Sequence, residues 1–98
     1  MTKGYLIANV TITKPADYRS YRERVPEVIA MYGGRYLVRG GAAEVAEGGP
    51  PVKIIVVVEF PSMELLREWY ASPEYAEALK VRRTALDRRL IFVEGMPV

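Results

Sequence analysis

Gly33-Gly34-Arg35-Tyr36-Leu37-Val38-Arg39-Gly40-Gly41 sets a five-residue β-prone segment between two glycine pairs. Gly33-Gly34 ends a helix, where φ must turn positive, and Arg35 to Arg39 forms a strand. On a period of two, both arginines of that strand fall on one face and place charge on a sheet surface. Upstream, Tyr18, Tyr21, Val25, Val28, Ile29 and Tyr32 recur at spacings of three and four, one face of a helix. Pro26 removes a backbone donor and disfavours helical geometry at Val25, so a kink or a restart is expected there. Before that helix, Tyr5 to Thr13 is rich in β-branched and aromatic residues and stops at Lys14-Pro15, where proline fits a first helical turn.

Downstream, Gly40-Gly41 through Pro50-Pro51 reads as a mobile hairpin loop with two acids, Glu44 and Glu47. Val52 to Phe60 contains the continuous apolar run Ile54 to Val58, of the kind buried on both faces. Ser62 is a good N-cap for a short helix carrying Leu65, Leu66 and Trp69. Ser72-Pro73-Glu74 starts a second helical stretch, with a capping hydroxyl, a proline at the first position and an acid at the positive end. That stretch is expected to reach about Asp87, with Leu90 to Glu94 as the fourth strand. The order β-α-β-β-α-β predicts an α+β, ferredoxin-like fold over residues 1–98. It is a single domain with a four-stranded antiparallel sheet and both helices on one face.

Alternation sorts the strand residues into two sets. Leu6, Ala8, Val10, Ile12, Tyr36, Val38, Ile54, Val56, Val58, Phe60, Leu90 and Phe92 form the nearly all-apolar set expected under the helices. Tyr5, Ile7, Asn9, Thr11, Arg35, Leu37, Arg39, Lys53, Ile55, Val57, Glu59, Ile91 and Val93 form the opposite face. Its six large aliphatics are each worth roughly 1.5–3 kcal/mol when buried. Contiguous apolar surface of that kind marks an interface, so the chain is expected to partner itself, sheet against sheet, as a homodimer.

Composition bounds the chemistry. Half of the 98 residues are hydrophobic and 27% are charged, which specifies a folded globular chain. The net charge is only +2, and the one basic cluster, Arg82-Arg83 with Arg88-Arg89, has no interleaved aromatics. No nucleic-acid partner is expected. No apolar run approaches the roughly 18 residues needed to span a bilayer, and no cleavable leader is apparent, so no membrane partner and a cytoplasmic location are expected. With no Cys and no His, thiolate chemistry, imidazole bases and Cys/His metal sites are ruled out. No metal and no cofactor are expected, because the glycine pairs bracket a strand, whereas a phosphate cradle opens onto a helix.

Two groups of residues are candidates for a site. Tyr18, Tyr21, Trp69, Tyr70, Tyr75 and Arg82 form a candidate pocket between helices and sheet. There Arg82 either snorkels from the apolar stripe of its helix or holds an anion, and the aromatics are either lining or core. Tyr5, Asn9, Arg35, Arg39 and Glu59 form a candidate polar sheet face. Arg35 is expected opposite Glu59 in the hairpin, either as an ion pair at the dimer seam or as part of a ligand site. In the second case Asn9 and Tyr5 would donate to an oxyanion, with Glu59 as base if burial raised its pKa. No catalytic residue is specified by spacing.

The segments GGRYLVRGG, VVEFPSMELLREWYASPEY and Leu90-Ile91-Phe92-Val93-Glu94-Gly95 together resemble the domain-of-unknown-function family thirteen-thirty, over nearly the whole chain. The resemblance implies the dimeric α/β-barrel superfamily of ferredoxin-like folds. That superfamily includes cofactor-independent quinol oxygenases, haem-degrading oxygenases, muconolactone-type isomerases and stress-responsive dimers. Members of the family often carry His where this chain has Tyr32, so a mechanism using that imidazole, or a proximal haem His, does not transfer. Two functions are in play. One is a metal-independent, oxygenase- or isomerase-like enzyme on a small anionic or aromatic substrate. The other is a non-catalytic small-molecule-binding or scaffold dimer.

Overall fold

A computed structural model describes residues 2–12, 15–50, 54–78 and 86–97, with the backbone alone for 12, 15–18, 20, 21, 86 and 87. The elements are β1 (Gly4–Ile12), α1 (Pro15–Met31), β2 (Arg35–Arg39), β3 (Ile54–Phe60), α2 (Met63–Tyr70) and β4 (Leu86–Glu94), with a further helical segment at 73–78. The four strands pair antiparallel in the order β2-β3-β1-β4, the ferredoxin-like arrangement.

Local chemistry explains the boundaries. Gly33, at φ +80°, donates its N–H to the Ala30 carbonyl while Gly34 donates to Ile29, the paired bonds that close a helix through a left-handed residue. Gly34 has a second reason to lack a side chain. A Cβ there would sit 2.6 Å from Ile29 Cγ2 and 2.8 Å from Phe60 Cε1. Ser62 Oγ accepts from Leu65 N at 3.1 Å, and Ser72 Oγ accepts from Tyr75 N at 3.1 Å, so both serines cap as their positions predict. Tyr32, just after α1, donates its hydroxyl to Glu74 and ties the end of α1 to the helical segment at 73–78.

Two expectations need correction. Of the kink or restart expected at Pro26, the restart does not occur, because α1 runs without a break from Pro15 to Met31. The fourth strand begins at Leu86 rather than Leu90, because β1 is nine residues long and pairs along its whole length, down to Ile12 opposite Leu86 and Thr11 opposite Asp87. The last helical segment therefore ends before Asp87. Residues 40–50 are exposed and irregular.

The core lies between the helices and one sheet face. Leu6, Ala8, Val10, Val58 and Phe60 from the strands meet Val25, Val28 and Ile29 of α1 and Leu66 and Trp69 of α2, with Tyr75 and Ala78 behind them. Trp69 is central: its ring lies 4.2 Å from that of Tyr75 and 5.6 Å from that of Phe60.

The register sorts the faces as alternation predicts, with one exception. Arg35 pairs with Glu59 and Tyr36 with Val58, but the next pairs are Val38 with Val57 and Arg39 with Val56, a β-bulge at Leu37. One extra residue in the strand reverses the parity of everything after it. Val38 therefore leaves the helix side for the open face, where it is 39% exposed. Arg39 makes the opposite move, to the helix side.

Candidate functional site

Beneath α1 the helix-side face is not completely filled. Ala8, the smallest inward strand residue, lies between Leu90 and Val56, and around it is a cavity of about 50 Å³. A single water needs roughly 10–15 Å³ on the same measure. The walls are apolar, from Leu6, Val10, Val25, Ile29, Val56 and Val58, with Tyr36 and Trp69 as aromatic lining. The only charged residues among those described in the lining are Arg22, Arg39 and Arg88.

How Arg39 comes to be there is a matter of backbone chemistry. Pro26 has no N–H, so the carbonyl four residues earlier in α1, that of Arg22, has no helical donor. The bulge turns Arg39 toward α1, and its Nη2 donates to that carbonyl at 2.8 Å. The guanidinium also lies over the Tyr36 ring, 4.8 Å from its centroid. One side chain thus satisfies the acceptor that proline orphans and places a fixed positive charge at the cavity. Arg88 reaches the same space from β4, where its row neighbours are Val10 and Ile54. Its Nη2 donates to the Tyr75 hydroxyl, and its guanidinium lies 5.4 Å from the Tyr75 ring centroid. Outside, an open cleft lined by Arg19, Arg22, Glu23, Pro26 and Arg39 shares two arginines with the cavity.

The other side of the sheet has its own polar row. Val93, Tyr5, Glu59 and Arg35 stand side by side across the four strands. Glu59 Oε1 accepts from Lys3 Nζ at 3.1 Å and from Arg35 Nε at 3.2 Å. The bond from Lys3, with the nearby Arg35 charge, holds the Glu59 carboxyl below its ordinary value, against the opposing effect of desolvation. The next row is Ile91, Ile7, Val57 and Val38, four aliphatics spanning the sheet on the face away from the helices.

The family described as "Domain of unknown function (DUF1330)" matches residues 3–96. This chain belongs to that family. No curated protein matches it. Among solved structures, it resembles a protein of unknown function from Rhodopseudomonas palustris at 21% identity and TM-score 0.79, over 98% of this chain and 84% of that one. It also resembles SnoaB, a cofactor-independent oxygenase from Streptomyces nogalater, at 13% identity and TM-score 0.67, over 100% and 97% of the two chains. A dimeric protein of unknown function with a ferredoxin-like fold from Bacteroides fragilis aligns at 14% identity and TM-score 0.61, over 95% of each chain. At these identities the likeness shows the fold.

In this DUF1330 chain the predicted site residues part company. Of the predicted pocket set, Trp69 lines the cavity. Tyr75 is instead wholly inside the core against Trp69, and Tyr70 is 41% exposed, edge-on to Phe92. The side chains of Tyr18 and Tyr21, and Arg82 altogether, lie outside the described residues. Of the predicted polar face, Tyr5, Arg35 and Glu59 are brought together, whereas Asn9 is two rows away, opposite Ile55 and Arg89. Arg39 is the outright correction: it belongs to the cavity, not to the polar face. The condition under which Glu59 would serve as base also fails, since its pKa is lowered, not raised. Sequence reasoning missed Arg22 and Arg88 as lining residues. Pro26 was the available signal for the Arg39 contact, because it orphans the Arg22 carbonyl that Arg39 bonds.

Proposed function

We propose that this DUF1330 protein is a homodimer that takes a small anionic or aromatic molecule into the cavity between α1 and the sheet. It acts on that molecule without a bound metal, in the manner of an oxygenase or isomerase. The observation that carries this is an apolar cavity whose only described charges are three arginines. Hydrocarbon walls favour an organic body, and guanidinium groups favour an anionic or electron-rich oxygen on it. The cofactor-independent oxygenase SnoaB has the same fold, so the architecture is compatible with such a reaction.

Homodimerisation is supported by the row Ile91, Ile7, Val57 and Val38, which the helices do not cover. It is also supported by the dimeric state of the Bacteroides fragilis protein. The Lys3–Glu59–Arg35 cluster fits the rim of such an interface better than an active site, because the Glu59 carboxylate is already bonded to both cations.

A non-catalytic binding or scaffold dimer is the second reading. It is favoured by the lack of any carboxylate among the described lining residues, which leaves no general base there with a pKa near neutrality. A screen of quinols, lactones and aromatic acids separates the two. Turnover that falls in Arg39→Ala supports the enzyme. Binding that raises the melting temperature with no conversion supports the module. If no compound in the screen binds or reacts, neither ligand-based reading holds.

A further inference from the structure

We infer that the site takes a short-chain aliphatic carboxylate, its head held by Arg22 and Arg39 at the outer cleft and its tail, about three to five carbons long, seated in the cavity beneath α1. This rests on the cavity being a ligand site and names what that site takes.

Size sets the first limit. The cavity measures about 50 Å³. A single water needs roughly 10–15 Å³ on that measure, so there is room for about three to five water-sized groups. Methylene groups are close to water in size, and the count carries over to the carbons of an unbranched chain. A benzene ring, which occupies apolar cavities of roughly 150 Å³, does not fit. Of the anionic and aromatic classes, the anionic one with a narrow body is therefore the one taken in.

Charge and solvent set the orientation. Arg22 and Arg39 line both the cavity and the outer cleft, so a molecule entering from the cleft passes them. Both are at exposed positions, where a carboxylate meets guanidinium groups without giving up all of its water. Inside, the walls contributed by Leu6, Val10, Val25 and Val58 offer an ion nothing comparable. Burying a charge against such side chains is costly, whereas burying methylenes there is favourable. Arg88 also lines the cavity, but its Nη2 is committed to the Tyr75 hydroxyl and its guanidinium lies against the Tyr75 ring. The head stays at the mouth and the tail goes in.

Arg39 is already ordered to receive that head. It donates from Nη2 to the Arg22 carbonyl and lies over the Tyr36 ring. A guanidinium has five N–H donors, so this anchoring leaves others for a carboxylate without the entropy loss of freezing a mobile side chain. Arg19 adds a further cation to the cleft, against Glu23 as the single acid among its described lining residues. Such a mouth draws anions toward it.

Calorimetric titration of the full chain with acetate, butanoate, hexanoate and octanoate tests the tail, and pentanoate against pentanamide tests the head. Affinity is expected to rise about fourfold per added methylene as far as hexanoate and to level off at octanoate. Pentanamide should bind roughly tenfold more weakly than pentanoate, with added salt narrowing the gap. Arg22→Gln and Arg39→Gln should shrink that gap and keep the length dependence. Ala8→Val fills part of the cavity, and should move the levelling-off to a shorter chain while keeping the preference for charge. Should the Ala8 variant fail to fold, the length series on the parent still decides. Affinity that climbs unabated to octanoate overturns the seating of the tail, and equal binding of pentanoate and pentanamide overturns that of the head. If no member of the series binds while a quinol, lactone or aromatic acid does, this inference falls and the ligand-site reading stands. If both sets are blank, the cavity reading itself falls.

Discussion

Arg39 donates from Nη2 to the backbone carbonyl of Arg22 at 2.8 Å, closing the gap in the α1 ladder that Pro26 leaves. Two departures from regular structure, a proline inside a helix and an extra residue in a strand, are thereby joined at one hydrogen bond. Each has a separable consequence.

Replacing Pro26 with Ala restores a helical donor to the Arg22 carbonyl and puts it in competition with Arg39. A proline costs a helix interior about 3 kcal/mol relative to alanine, and Arg39 has already made good part of that. Pro26→Ala is expected to stabilise the protein by about 1–2 kcal/mol, the difference left after losing a charge-assisted bond. Urea denaturation measures the gain.

Deleting Leu37 converts the bulge into a regular ladder with the same pairs on either side, Tyr36 with Val58 and Val38 with Val57. The deletion is expected to cost no more than about 1 kcal/mol, the transfer value of a half-buried leucine. Were β2 regular, removing one residue would swing Val38 and Arg39 to the wrong faces and unfold the edge of the sheet. A melting temperature lower by more than about 15 °C, far beyond the 4–8 °C that 1 kcal/mol is worth in a domain of this size, would show that no bulge is present.

Glu59 sets part of the acid limit of stability. Its carboxyl is held below the ordinary 4.5 in the folded chain by the bond from Lys3, aided by the charge of Arg35. A depressed folded-state value means that the stabilisation is fully present above the unfolded value and is lost as pH falls through the folded one. Thermal melts of Glu59→Gln should therefore run below the parent at pH 7 and converge with it as pH falls below 4.5. A gap that persists unchanged to strongly acidic pH would contradict the assignment.

Gly34 and Gly41 flank the same strand but differ in surroundings. A Cβ at Gly34 meets Ile29 at 2.6 Å and Phe60 at 2.8 Å, whereas at Gly41 the nearest atom is 4.0 Å away. Gly34→Ala is expected to destabilise by about 1–3 kcal/mol through overpacking, with Gly41→Ala near neutral. Chemical denaturation of the pair decides it.

Ile91 is at the edge of the aliphatic row on the open face, opposite Ile7. Ile91→Glu should convert a micromolar dimer to monomer in analytical ultracentrifugation, with helical content by circular dichroism retained. A parent protein that sediments as a monomer at that concentration would sink the dimer proposal.

Much of this was legible in the chain. The period-two runs gave four strands and their order, and Ser62, Ser72 and Gly33 announced their caps because side-chain and φ requirements there are local. The Arg35–Glu59 pairing was legible too, since a hairpin register follows from the strand ends. Nothing in Arg35-Tyr36-Leu37-Val38-Arg39 marks Leu37 as an insertion, because no glycine signals the bulge and either parity gives a plausible strand. That single ambiguity moved Arg39 across the sheet and with it the charge of the cavity. Leu86 to Arg89 likewise continue a helical pattern, and only the availability of Thr11 and Ile12 as partners on β1 turns them into strand.

The place of β2 at the outer margin of the sheet gives the bulge a longer reach. A marginal strand has one neighbour, so gaining or losing a residue there re-aims only Val38 and Arg39 while every ladder among β1, β3 and β4 stays in step. The charge around the hollow can thus be altered by one residue in β2 while the rest of the architecture stays as it is.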